Sequence, residues 1–280
     1  MLFFFFFGTA TLILITQYKG AGKEKEAKAI YPVTLLVNFF IGVVIMLVSI
    51  FGIDFILQLM NIEEGASFDY AGQYMRIVGV SFLFMAVSNC FSSFLKANAF
   101  VKEVMVISVI MNIINAVGNA IGLFVLNIGV AGVAYATMIS RLGGMVLCII
   151  VFVVKVGPIQ FSAMRNSKPF VLLGQLLKIG VPSVGENMSY DMAQLVLMSW
   201  INTMGLSAVN VKVYVTLVVQ FAYLFCMAVT QAMQIVQGYH IGAGNKDEAE
   251  KIVYKSLIYS TIVSVSVTFT KKLPVPILTT

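Results

Sequence analysis

Polar side chains set at helical spacing inside long apolar stretches are the first features of this sequence that could do chemistry. Asn112, Asn115 and Asn119 stand at i, i+3 and i+7, which places them along one stripe of a helix. Their amides could offer carbonyl oxygens to a hard cation such as Na⁺. The alternative is hydrogen bonding to neighbouring helices, a common use of Asn in membranes. Thr137 and Arg141 lie one turn apart on a later apolar segment. Arg141 comes about 16 Å into that segment at 1.5 Å per residue, near its middle. It reads either as a structural pair with carbonyls or a carboxylate, or as a gate or counter-ion. A third segment carries Glu186, Asn187, Tyr190, Asp191 and Gln194. Asn187, Asp191 and Gln194 share one face, with Glu186 and Tyr190 on a neighbouring stripe. Groups of this kind within a membrane usually face a cavity or a partner. Either carboxylate could take up a proton on one side and release it on the other; the alternative is a structural network.

The elements that must position these groups follow from composition. The chain is 60% hydrophobic and only 11% charged, whereas a soluble domain carries about 25% charged residues. Apolar runs such as Tyr31 to Met60, Val104 to Leu126, Val130 to Val154 and Val211 to Val236 match or exceed the roughly 20 residues needed to span a bilayer. The expected fold is all-α and polytopic, with about eight transmembrane helices near 1–17, 30–59, 70–95, 103–126, 130–155, 173–202, 210–238 and 252–270. The net charge of +6 does not point to nucleic acid, because the basic residues sit in short loops between apolar runs; the expected surroundings are membrane lipid. Cys90, Cys148 and Cys226 lie inside apolar runs and read as small packing residues rather than as disulfides or metal ligands. The Leu2–Phe7 run lacks the basic flank and cleavage site of a signal peptide. No GxxxxGK[ST] phosphate loop is present, which argues against direct ATP coupling, and no catalytic constellation is expected.

Charge alternates from loop to loop. Lys19, Lys23, Lys25 and Lys28 follow the first span, and Glu63, Glu64 and Asp69 follow the second. Basic residues return at Lys96 and Lys102, at Lys155, Arg165, Lys168 and Lys178, and at Lys246, Lys251 and Lys255. The positive-inside rule then makes loops 18–29, 96–102, 156–172 and 239–251 cytoplasmic. The N-terminus is expected outside, and Lys271-Lys272 would also fall outside, against the rule.

A repeat links the two halves. Gly20-Ala-Gly-Lys-Glu-Lys-Glu-Ala-Lys28 and Gly242-Ala-Gly-Asn-Lys-Asp-Glu-Ala-Glu250 lie 222 positions apart and coincide at five of nine residues. Both follow an apolar helix on the same side, which is the pattern of parallel repeats. The helix before the second copy has no counterpart before the first, and partners of the third, fourth and fifth spans are missing from the second half. The expectation is a twelve-helix architecture of which this chain holds helices two to nine. Residues 1–155 would be an N-terminal lobe lacking its first helix, 156–172 a linker, and 173–280 the start of a C-terminal lobe ending after its third helix.

With these features the sequence resembles the MATE (multidrug and toxic compound extrusion) family. The stretches that carry the resemblance are Gln17–Gly22, Tyr74-Met-Arg-Ile77, Asn112 through Gly132 and on to Ser140, Ile179-Gly-Val-Pro182 with Glu186-Asn187, and Gly242-Ala-Gly244 with Glu248-Ala249. The resemblance implies two six-helix bundles in a multi-pass protein of the bacterial inner membrane. It implies antiport of small organic, often cationic, compounds against Na⁺ or H⁺, with no cofactor beyond that ion. By the family pattern Asn115 and Thr137 match cation ligands, and Asn119 stands where an Asp is frequent. A further Asp belongs to the first helix, which is absent here. Glu186, then Asp191, match an acidic residue on the helix that opens the second lobe, where the family pattern implies a part in cation or drug binding. Two other readings remain: a truncated, non-transporting membrane remnant, and a lipid-linked oligosaccharide flippase, which would be expected to line its cavity with more basic residues than the one expected here, Arg141.

Overall fold

The computed structural model describes residues 2–59, 65–165 and 168–270. Glu63, Glu64 and the segment 271–280 with Lys271-Lys272 lie outside the described residues. Among the described residues ten α-helices follow one another: α1 (Leu2–Gly20), α2 (Glu24–Phe51), α3 (Ile53–Leu59), α4 (Ala66–Ala97), α5 (Val101–Ala120), α6 (Gly129–Lys155), α7 (Ser162–Arg165), α8 (Pro169–Thr203), α9 (Leu206–Gly242) and α10 (Lys246–Thr270). Eight are long, one for each expected span. Among the described residues, Glu24–Phe51, Phe68–Ala97, Val101–Val125 and Gly129–Lys155 are long and apolar enough to cross a membrane.

Two departures from the sequence reading have local causes. The second span breaks at Gly52, whose amide closes the end of α2 on the Val48 carbonyl at 2.8 Å. The chain restarts as α3, and Asp54 there accepts both Arg76 contacts, at 2.7 and 2.8 Å. The linker, read as a loop, holds the short helix α7.

The repeat in sequence is a repeat in structure. After α1, the amides of Ala21, Gly22 and Lys23 reach the carbonyls of Gln17, Lys19 and Tyr18 at 3.0, 3.0 and 2.9 Å. After α9, those of Ala243, Gly244 and Asn245 reach Tyr239, Ile241 and His240 at 3.0, 3.1 and 2.9 Å. Every donor and acceptor is displaced by 222 positions. Gly22 (φ 73°) and Gly244 (φ 82°) take the left-handed step that ends each helix, a conformation that costs glycine little. The helix boundaries, Gly20 with Gly242 and Glu24 with Lys246, keep the same offset.

Two compact units result, residues 1–15 with 24–181 and residues 16–23 with 182–280. In the first, α4 packs on α2 and α6, and α6 on α5. Tyr31 (α2), Phe91 and Phe94 (α4) and Phe152 (α6) form an aromatic knot with ring centroids 4.8 to 5.6 Å apart. The amide of Asn98 donates to the Tyr31 hydroxyl at 3.0 Å and to the Phe94 carbonyl at 2.6 Å. The knot therefore also fastens the end of α4. The seam between α5 and α6 is built from small residues: Gly122 faces Gly132, and Gly118 faces Ala136. In the second unit, α9 packs on α10. Exposed apolar side chains run the length of many helices, Phe40, Phe51, Phe124 and Val154 among them, as a lipid-facing surface requires.

A Cβ on Gly132 would lie 2.9 Å from the Gly122 Cα, too close without parting the helices. Gly132→Val should cost about 1–3 kcal/mol, read as a lower thermal midpoint of the protein in detergent. Gly174→Ala, with nothing within 4 Å of the added Cβ, should leave the midpoint unchanged or raise it.

Candidate functional site

The glycine seam is what brings the α5 amides to α6. Because backbones meet at Gly118–Ala136 and Gly122–Gly132, short side chains can bridge the two helices. Asn119 Nδ2 donates to Asn115 Oδ1 at 3.2 Å, and Asn115 Nδ2 donates to Thr137 Oγ1 at 3.3 Å. Thr137 Oγ1 in turn donates to the Val133 carbonyl at 2.9 Å. The three residues expected together are together. Asn112, the fourth, is exposed and stands outside this hydrogen-bond chain. Directly after Asn119 the helix widens into a π-turn over Ile121–Val125, a distortion frequent at functional sites. The Leu126 amide closes that turn on the Ile121 carbonyl at 2.9 Å.

The chemistry of this row is that of neutral amides. Its donors run one way, from α5 toward the α6 backbone, as interhelical hydrogen bonding would have it. One acceptor is left over: Asn119 Oδ1 is buried and unpartnered, and such a group is costly unless something supplies a partner. That oxygen is what this row offers a cation. With no carboxylate in it, the row cannot carry a titrating proton.

Arg141, one turn beyond Thr137, turns to α4. Its Nη1 donates to Ser81 Oγ at 2.7 Å, and its guanidinium carbon lies 5.5 Å from the Phe82 ring centroid. Ser81 passes its own proton to the Val78 carbonyl at 2.6 Å. Arg141 is thus held by a hydroxyl and an aromatic face.

The polar segment of α8 is placed differently. Glu186 lies midway between Pro169 and Thr203. Glu186, Tyr190 and Asp191 are exposed, while Asn187 and Gln194 are half-buried. Asn187 Nδ2 donates back to the Ser183 carbonyl at 3.0 Å, closing the turn after Pro182, where a backbone donor is missing. Asp191 and Gln194 line a cavity of about 640 Å³ together with Met198, Lys212 and Thr216. Glu186, Asn187 and Tyr190 are not among its lining residues. Neither Asp191 nor Lys212 is ion-paired among the described residues, so the cavity presents charge of both signs.

Lys212 is the residue that the sequence reading passed over. It stands two residues inside the span expected from 210, and six residues into α9, which begins at Leu206. The signal that could have found it is a lone base on the side the charge pattern makes external.

Asn115→Ala removes both hydrogen bonds of the central amide. Bonds of this kind in membrane bundles average about 0.6 kcal/mol, so it should cost about 1 kcal/mol and Asn119→Ala about half as much. Asn112→Ala should be neutral. Reversible unfolding in mixed micelles measures all three, and a cycle of Asn115→Ala with Thr137→Val should return a coupling of about 0.6 kcal/mol.

Comparison with known proteins bears on the whole arrangement. A family model described as MatE matches residues 1–121 and 182–279. The uncharacterized transporter YisQ of Bacillus subtilis (strain 168) is 34% identical over 265 residues, which cover 92% of this chain and 57% of YisQ. The probable multidrug resistance protein NorM of Thermotoga maritima is 20% identical over 262 residues, covering 91% of this chain and 55% of that protein. This chain therefore spans little more than half the length of these relatives. Among solved structures, an outward-facing multidrug resistance MATE family transporter of the MOP superfamily superposes with a TM-score of 0.87 at 20% identity, covering 98% of this chain and 61% of that one. A MOP superfamily transporter from Pyrococcus furiosus gives 0.86 at 21%, covering 95% and 59%. Both likenesses bear on the fold.

Proposed function

Because the chain belongs to the MATE family, we propose that it works as part of a secondary transporter that exports organic compounds across a bacterial inner membrane in exchange for a cation. The observation that carries this reading is the central stretch of α8. Two carboxylates, Glu186 and Asp191, stand far from either end of a long helix, where charge is costly unless it does work. The acidic residues that are ion-paired among the described residues, Asp54, Glu103 and Glu248, sit near helix ends.

The two polar sites divide the labour. The neutral Asn115–Asn119–Thr137 row has one spare buried oxygen and no titrating group, which suits a weak Na⁺ ligand or a purely structural bridge. Glu186 and Asp191 can exchange protons, and Asp191 shares its cavity with Gln194, Lys212 and Thr216. In this reading the coupling ion is a proton carried on α8, and the cavity beside Asp191 receives the organic substrate. Coupling then requires that proton and substrate favour different states of the protein.

Reconstituted into vesicles, the protein should move a fluorescent organic cation under a pH gradient. Glu186→Gln should slow this by about tenfold or more, and Asp191→Asn by less, the ordering expected if the more central charge carries the proton. Replacing Na⁺ by K⁺ should leave the rate unchanged. Transport driven by Na⁺ alone, with Glu186→Gln fully active, would move the coupling role to the α5–α6 row. Asn119→Asp should then increase Na⁺ dependence, since it adds a carboxylate oxygen beside Asn115.

A further inference from the structure

The two equal turns do more than echo one another. Within the second unit, Gly20 at the end of α1 lies against the backbone of Tyr239, and Gly242 at the end of α9 lies against the backbone of Gln17. A Cβ added to either glycine would overlap the other helix's carbonyl group. Tyr239 follows Gln17 by 222 positions, as Gly242 follows Gly20. The two contacts therefore exchange under the internal repeat. The arrangement is that of an isologous interface, in which one patch meets its own equivalent, but formed inside a single chain.

What the contact is made of matters as much as its symmetry. It is glycine against helix backbone. The carbonyls it covers, Gln17 and Tyr239, already accept the amides of Ala21 and Ala243 at 3.0 Å. Parting the helix ends therefore strands neither of these two carbonyls. By contrast, the aromatic knot of the first unit interlocks four rings. The chain also changes allegiance here: α1 belongs to the first unit up to Ile15 and to the second from Thr16.

We propose that the crossed Gly20–Tyr239 and Gly242–Gln17 contacts form a reclosable latch between the ends of α1 and α9, closed in this structure and parted in a second state. The latch rests on the transport reading only for when it opens; that it closes at all depends on the two glycines.

Spin labels at Lys23→Cys and Asn245→Cys, both exposed and equivalent under the repeat, read the state of the latch in lipid vesicles. Cys90, Cys148 and Cys226 are first changed to Ala. The unaltered helices should give a short-distance population and a longer one, in proportions that shift between about pH 5 and pH 8. Gly20→Ala and Gly242→Ala should each raise the long-to-short ratio by about tenfold. Their effects should be equal, and the double variant should go no further, since either Cβ alone blocks closure. Gly174→Ala serves as the control and should change nothing. The latch is overturned if both alanine variants keep the short distance. If those variants fail to insert, the unaltered pair decides: one unchanging distance at every pH, in Na⁺ and in K⁺, and with or without the dye, overturns the proposal as well. Should the alanine variants open the pair while the vesicles show no dye efflux under any gradient, the latch stands and the transport reading falls.

Discussion

Helices in a bilayer gain nothing by hiding apolar surface from one another, since lipid is as apolar as leucine. What remains is contact, and contact depends on how near two backbones can come. In this chain that distance is set by glycine and alanine. Gly122 against Gly132 and Gly118 against Ala136 close the α5–α6 seam, and Gly20 and Gly242 close the crossing of α1 and α9. The placement of polar groups follows from those approaches. Asn115 reaches Thr137 because the helices touch on either side of it; one methyl group at Gly132 would pull the hydroxyl out of reach.

The same constraint explains why the two kinds of contact in the molecule behave differently. Where the chain must hold a fixed shape it uses large interlocking side chains, as Tyr31, Phe91, Phe94 and Phe152 do. Rings packed at 5 to 6 Å gain about 0.5–1.5 kcal/mol per pair beyond their burial, and to separate them is to lose several such terms together. Where helices meet through glycine, only a strip of backbone is lost on parting. Polar groups are sorted in a parallel way. Arg141, held by Ser81 and Phe82, fastens α6 to α4, whereas Glu186 and Asp191 are left exposed on α8.

Much of this was legible in the residues. Long apolar runs give the eight long helices, because backbone donors and acceptors in lipid must be satisfied within each segment. The Gly-Ala-Gly repeat gave the equal turns, since a left-handed step after a helix selects glycine strongly enough to survive in both copies. Spacing placed Asn115 and Asn119 on one stripe, and the family resemblance joined Thr137 to them. Spacing could not tell that Asn112, on the same stripe by count, is exposed and outside the hydrogen-bond chain, since that depends on how two helices face each other. The break at Gly52 and the start of α9 at Leu206 were also hidden: a glycine can bend a helix or pass through it, and Lys212 can lie in a loop or one turn deeper. Which of the α8 polar residues line the cavity was beyond the sequence for the same reason, because facing is a property of neighbours.

Trp200, the chain's single tryptophan, lies three residues before the end of α8 with about two thirds of its surface exposed. Its indole emission is therefore an optical address for one helix. Quenchers attached at known depths along lipid tails would report how far the end of α8 sits below the headgroups, without any label. Of the eight long helices, the one that carries the unusual charges can thus be watched through light that no other helix emits.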